Sequence, residues 1–365
     1  QNIPYFFSAQ TFSGGAVYTA NFGATAFAQT PPTGHIALAQ DNLAGTDQFI
    51  SAFSWIKNRD ATDNHMLFDR VRGATNDLHS NTTDIEVTNV NTVQSFLEAG
   101  VQIGNDVEVN TSNESYALWN WMIEATGSGA SNEAGSINTT STLVDQTLGL
   151  SISKYTGTGS NATVGHGLGT APGMIIIKNL GVTDAWAVYY GDNTDYLVLN
   201  TTAATADDAT MWNDTTPSST VFSIGTNHQV NASSENYIAY CFAPSQFISI
   251  GSYEGNGNAN GAFAPTINSL GVPIQPVFFF SKNADATNNW DMRDIVRSPY
   301  NSSTNNIQPS TSSAEYNGTD YVDIVTGGLK IRTSSANLNG SAKTIIYLAM
   351  GTPMIDTDGR IIAGR

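Results

Sequence analysis

The residues with the clearest capacity for chemistry are acidic and come in short pairs. Asp192-Asn193-Thr194-Asp195, Asp207-Asp208 and Asp356-Thr357-Asp358-Gly359 each place two carboxylates close together, as a hard cation with oxygen ligands requires. None continues into a twelve-residue calcium loop with its closing Glu. Aspartate before a polar residue and glycine also caps its own turn, the glycine taking a positive φ. Turn capping is the reading favoured at Asp192, Asp195, Asp356 and Asp358, with calcium as the alternative. A carboxylate pair could also cleave a glycosidic bond, but these pairs sit in unlike contexts. The densest basic cluster is Arg70-Val71-Arg72, with Lys57 and Arg59 upstream. Arg70 and Arg72 either pair with acids such as Asp69 and Glu86 or recognise an anion or saccharide. Trp119, Trp121, Trp186 and Trp290 are spaced as core anchors. Trp212 lies in the polar stretch Thr210 to Thr216 and is the candidate for stacking on a sugar ring.

Other constellations are missing. There is no Gly-x-Ser-x-Gly, no His-Glu-x-x-His and no Walker loop, so no motif names a catalytic residue. Gly157-Thr158-Gly159-Ser160-Asn161-Ala162 fits a dinucleotide fingerprint in letters only, because no helix pattern follows it. The five histidines are scattered, and Cys241 is the single cysteine. That excludes an intrachain disulfide and a Cys₂His₂ zinc site. Apart from weak calcium candidates, no cofactor is expected.

The elements that must carry these residues follow from composition. The chain has 365 residues, 14 Lys+Arg against 31 Asp+Glu, and a formal charge of -17. Such a charge repels phosphate, so nucleic acid is not an expected partner. No window nears the ~20 apolar residues of a membrane-spanning helix, and no signal peptide opens the chain. The first residue is Gln1, which reads as a remnant of something longer. Charged residues are 12%, but hydrophobic ones reach 40%, so the chain should fold. Thr, Asn, Ser and Gly supply the polarity and suit short strands joined by tight turns.

A diverged triplication organises the chain. Phe53-Ser54-Trp55-Ile56-Lys57-Asn58, Ile175-Ile176-Ile177-Lys178-Asn179 and Phe278-Phe279-Phe280-Ser281-Lys282-Asn283 are one motif. Eight residues after each lysine stands a large ring: His65, Trp186 and Trp290. About sixty residues after each lysine comes a closing apolar strand, beginning at Tyr116, Tyr237 and Ile345. The second and third units share an upstream Tyr-x-Gly-x-Gly, at Tyr155 to Gly159 and Tyr253 to Gly257, and a Gly-Pro turn. The short apolar runs bounded by turns predict buried strands. The expected fold is all-β: tandem β-sandwich domains, jelly-roll or concanavalin-like, from a triple repeat. The expected boundaries are 1–45 for an N-terminal strand segment, then repeats at 46–148, 149–247 and 248–365. A linker is expected at Thr126 to Thr142, and short helix only at Asn91 to Ala99 and Ala203 to Met211.

Phe53 to Arg59, followed by His65 to Ala74, resembles a repeat found in virion proteins of marine bacteriophages, a family of uncharacterised function. Tyr116 to Trp121, Tyr155 to Gly159, Gly165 to Pro172 and Tyr237 to Phe242 fit the same pattern. Thr19 to Gly23 and Pro31 to Leu38 resemble the end of a SPRY-like, concanavalin-like sandwich. The resemblance implies a non-enzymatic structural protein on the virion surface, most of all a tail-fibre or appendage component for host adhesion. It implies a homo-oligomer, trimeric in a fibre, contacting other virion proteins and a host-surface saccharide. A capsid decoration protein, a carbohydrate-active enzyme and a cellular adhesin or filament subunit are the alternatives.

Overall fold

A computed structural model describes residues 50–98, 100–123 and 127–354. The chain divides into two compact units, Gln1–Asp47 and Gln48–Arg365, and every described residue belongs to the second. The expectations for residues 1–45 and for Asp356 and Asp358 fall outside the described residues.

Antiparallel strands make up nearly all of the regular structure. Each repeat is centred on a hub strand that ends in the Lys-Asn pair: Ile50–Asn58, Met174–Asn179 and Ile274–Asn283. A hairpin strand flanks each hub on one side, at Met66–Asp69, Ala187–Tyr189 and Asp291–Asp294. A closing strand flanks the other, at Tyr116–Ile123, Asn236–Phe242 and Thr344–Pro353. The register repeats too, pairing Lys57 with Ala117, Lys178 with Ile238 and Lys282 with Ile346.

Strand alternation sorts the side chains into two kinds of core. One face of each hub and closing strand joins a single core common to the repeats. It includes Trp55 and Trp121, Ile176 and Tyr240, and Phe280 and Leu348. The other face feeds a private core. Ile56, Phe68 and Val93 build the first, Ile177, Phe222 and Tyr237 the second, and Phe279, Ile324 and Tyr347 the third. Second layers cover these private cores. They are Val93–Leu97 with Gly100–Ile103, Ala162–Gly165 with Val221–Ile224, and a four-stranded sheet over the third repeat. The hub runs are continuously apolar because both of their faces are buried. The all-β sandwich expectation holds, and the sandwiches share one hub core instead of standing as separate beads.

Three details differ from the sequence reading. Val93–Leu97 is a strand, not a helix, because Val93 anchors a private core. Of the second proposed helix, Ala203 to Met211, only the last three residues are helical, in the turn Ala209–Trp212. The strand Ser141–Asp145 pairs with Leu150–Thr156, so one hairpin spans the expected 148/149 boundary. A single helical turn also precedes each closing strand, at Val107–Asn110, His228–Asn231 and Ala336–Asn339. Each is capped by a side chain, from Asp106, Asn227 and Ser335. Among the described residues no helix is long and apolar enough to cross a membrane.

Candidate functional site

The three Lys-Asn pairs form one repeated bracket. Lys57, Lys178 and Lys282 are at most 1% exposed. Each Nζ donates to the carbonyl of the following asparagine, at 2.6, 2.8 and 2.6 Å. A second carbonyl accepts from each: Ala61 at 3.0 Å, Thr83 at 3.3 Å and Ala286 at 3.0 Å. Burial pushes all three lysines down to about 8, with Asp63 and Glu108 opposing the shift at Lys57, and Asp184 and Asp84 at Lys178. The asparagine closes the bracket: Oδ1 of Asn58, Asn179 and Asn283 accepts from backbone N–H groups two residues on. A buried ammonium held by fixed carbonyls organises a turn. At 0–1% exposure it cannot meet a substrate.

The ring residues lock each repeat onto another. Trp186 Nε1 of the second repeat donates to the His79 carbonyl of the first at 2.9 Å. Trp290 Nε1 of the third donates to the Val198 carbonyl of the second at 3.0 Å. His65 Nε2 of the first meets the Gln308 carbonyl of the third at 3.2 Å. The contacts run second to first, third to second and first to third, so the repeats close a ring. Burial, with Lys57 nearby, holds His65 well below the ordinary histidine range. It is therefore a neutral packing ring, as its repeat position predicts. The cavity inside the shared core measures about 20 Å³ and is lined by apolar side chains, room for one water at most.

The proposed recognition residues do not form a binding face. Trp212 is 1% exposed; its Nε1 donates to the Asp195 carbonyl at 3.1 Å and its ring meets Tyr189 edge-on. The polar neighbours misled because the helix Ala209–Trp212 turns its last residue inward. Arg72 is buried and bonds Asp69 at 2.5 Å and Glu86 at 3.3 Å. Burial alone would lower its pKa, but Asp69, Tyr240 and Glu86 hold it above the ordinary value. The ion-pair reading therefore stands for Arg72 over the saccharide reading. Arg70 is only 9% exposed, too covered to present a guanidinium to a large ligand. Asp192 accepts from the Thr194 N–H and hydroxyl, which lower its pKa. Asp195 accepts from Thr205 at 3.0 Å. These are turn contacts, and among the described residues no group of His, Cys, Asp and Glu is arranged to hold a metal.

Sequence reasoning missed a second copy of the arginine motif. Asp294-Ile295-Val296-Arg297 repeats Asp69-Arg70-Val71-Arg72, beginning four residues after Trp290 and His65 respectively. Arg297 bonds Asp294 at 2.5 Å and Glu315 at 2.6 Å. Asp294 accepts from Trp119 Nε1 at 3.1 Å, as Asp69 accepts from Tyr240 at 2.7 Å. Arg297 also lies 5.2 Å over the Trp119 ring. A groove of about 490 Å³ opens here, lined by Arg59, the strand from Tyr116 to Trp121, Val277, Val296 and Arg297.

Residues 33–352 match the family described as Domain of unknown function (DUF7483), and the chain belongs to that family. No curated protein and no solved structure matches the chain.

Proposed function

We propose that this DUF7483 protein is a non-enzymatic structural component of a bacteriophage virion, in a tail fibre or related appendage that adheres to the host surface. The observation that carries the reading is the closed ring of three repeats about one apolar core. A ring locked by two buried indoles and a buried imidazole suits a load-bearing part. Its acidic, strand-rich exterior stays soluble at -17. The strongly shifted ionisable groups are buried and spread over the repeats, among them the three lysine brackets, His65, Arg72, Tyr155, Tyr240, Cys241 and Tyr253, whereas an enzyme gathers such groups in a cleft. Adhesion would fall to exposed loops and to assembly with other virion proteins. Antibody-gold labelling of purified particles tests this: label at tail or fibre positions supports it, and absence from particles overturns it. The same ring would suit a decoration protein at a threefold capsid position, which copy number per particle separates, hundreds against dozens. Reducing-sugar release from host polysaccharide would replace both readings with a carbohydrate-active enzyme.

A further inference from the structure

Among the described residues, the second and third repeats each carry a strand that the first lacks. Leu150–Thr156 pairs along the outer edge of the closing strand Asn236–Phe242, and Ile248–Glu254 does the same for Thr344–Pro353. Their sequences agree: Leu150-Ser151-Ile152-Ser153-Lys154-Tyr155 and Ile248-Ser249-Ile250-Gly251-Ser252-Tyr253. The aliphatic positions face the shared core, where Ile152 pairs with Tyr240 and Ile250 with Leu348. The small positions face the private core. Both tyrosine hydroxyls donate 2.7 Å bonds to a carbonyl of the helical turn, at Val230 and Leu338.

In the first repeat the closing strand Tyr116–Ile123 is the last strand of its sheet among the described residues. Its eight residues hold no charge and no proline, the devices that usually blunt an edge. Leu118 is 47% exposed and Met122 37%, where the second repeat has the buried Ala239 and Ala243. Val296, flanking the groove, is 84% exposed. Its counterpart Val71 packs against the shared core. The asparagine ending each helical turn reports the same gap. Asn231 and Asn339 are fully buried, whereas Asn110 is exposed, although all three bond the carbonyl six residues back.

Sequence explains the gap. Gln48-Phe49-Ile50-Ser51 repeats Gln246-Phe247-Ile248-Ser249. In the third repeat this tetrapeptide leads into the covering strand. In the first, Ile50 opens the hub strand directly. Nowhere in residues 1–49 does the Leu/Ile-Ser-Ile-Ser/Gly-x-Tyr pattern occur.

We propose that the edge Tyr116–Ile123 is a docking site for an extended strand of a partner protein. That strand pairs antiparallel with it and carries the Leu/Ile-Ser-Ile-Ser/Gly-x-Tyr pattern. The main chain supplies the attachment, and alternate side chains supply the choice of partner. Aliphatic side chains would lie beside Trp119 and Trp121, and a tyrosine beside Tyr116. The inference goes beyond the virion assignment and does not depend on it.

The test uses a fluorescently labelled peptide reproducing residues 246–255 of this chain, which is a natural occupant of the equivalent edge. With the full protein, saturable binding is expected, with about tenfold weaker binding of a scrambled peptide. Asn120→Pro removes an edge donor and should weaken binding about tenfold or more. Leu118→Glu, which leaves the backbone intact, should weaken it in the same direction. Hydrogen exchange without peptide should find the Tyr116–Ile123 amides faster than those of Asn236–Phe242, and slowed on peptide addition. Equal affinity for the scrambled peptide overturns the proposal. So do edge amides already protected at low concentration, which would mean the chain covers its own edge. Protection that appears only as protein concentration rises would assign the edge to a second copy, and overturns it too.

Discussion

The closing strands of the first and second repeats carry, at or next to their start, a tyrosine that does the same work. Tyr116 and Tyr237 each donate to the carbonyl opening the preceding helical turn, Val107 at 2.7 Å and His228 at 2.6 Å. Beyond that residue the strands diverge. Asn236–Phe242 has a neighbour on both edges and is buried from Tyr237 onward. Tyr116–Ile123 has one neighbour among the described residues, and its burial alternates. Their inner faces are alike, since Trp119, Trp121, Tyr240 and Phe242 all enter the shared core. The repeat unit therefore conserves what faces the hub and lets the outer edge vary. Stability should concentrate in the hub core and in the seams that have a covering strand.

The largest effect expected from breaking this arrangement is at a ring anchor. Trp290 is fully buried, stacks on Phe280 at 4.8 Å and donates across the second-third seam. Trp290→Ala should cost about 3–5 kcal/mol, read as a fall in the urea midpoint. His65→Ala, at the first-third seam, removes a smaller ring with one 3.2 Å contact to Gln308 and one to Trp55 at 2.9 Å. It should cost less, about 1–3 kcal/mol. Equal losses would mean that the uncovered seam bears as much load as the covered one.

The lysine brackets should come next, and they carry a pH signature. Lys282→Met leaves the Asn283 and Ala286 carbonyls without their donor, a loss of about 1–3 kcal/mol near pH 7. The folded lysines titrate near 8, while unfolded ones keep their protons to about 10.4. Between those values the unfolded state binds more protons, so stability should rise with pH. Cys241, pushed up by burial, opposes this as one group against three. Tyr189, Tyr190 and Tyr237 are pushed up to about 12 by burial. Above pH ~10 the unfolded state sheds the tyrosine protons first, and stability should fall. The urea midpoint should therefore peak at about pH 9–10, and Lys282→Met should flatten the rise by roughly a third. A midpoint falling steadily from pH 8 would show that the lysines stay charged.

Much of this was legible in the sequence, for identifiable reasons. The Lys-Asn pairs, the ring eight residues later and the closing strands recur in register, and each occupies an equivalent place in the fold. Periodicity of that kind survives divergence because the shared core demands it. Trp212 misled because its neighbours are polar, while burial at a helix end depends on the direction of a single turn. Val93–Leu97 misled because a two-stranded covering sheet leaves a weak pattern, burying Val93 but exposing Gln94 and Leu97. Asp294 and Arg297 were missed because Ile295 stands where the first copy has Arg70, so the third repeat shows no dense basic cluster. The ring's closure was illegible, since no spacing says which repeat a tryptophan will reach.

The smallest predicted effect separates the two edges most directly. Asn231 sits at 0% exposure, donates to Ser160 at 2.6 Å and Gly225 at 2.7 Å, and accepts from the Thr158 N–H at 2.8 Å. Its counterpart Asn110 makes the Gly104 bond at 2.7 Å and is otherwise solvated. Asn231→Ala should cost about 1–3 kcal/mol, because buried partners lose their bonds and cannot recover them from water. Asn110→Ala should change stability by no more than about 0.5 kcal/mol, since water replaces what is lost. The turn that follows the covering strand and carries Thr158 and Ser160 makes this difference, not the asparagine. If a bound strand then covered the first edge, the Asn110→Ala cost should grow toward that of Asn231→Ala. Thermal melts of the two variants, with and without a longer peptide of residues 246–260, which adds the Asn256 and Asn258 partners that Asn339 has in the third repeat, measure that convergence. An Asn110 cost that stays small with the edge occupied would mean that the covering strand does not bury this asparagine.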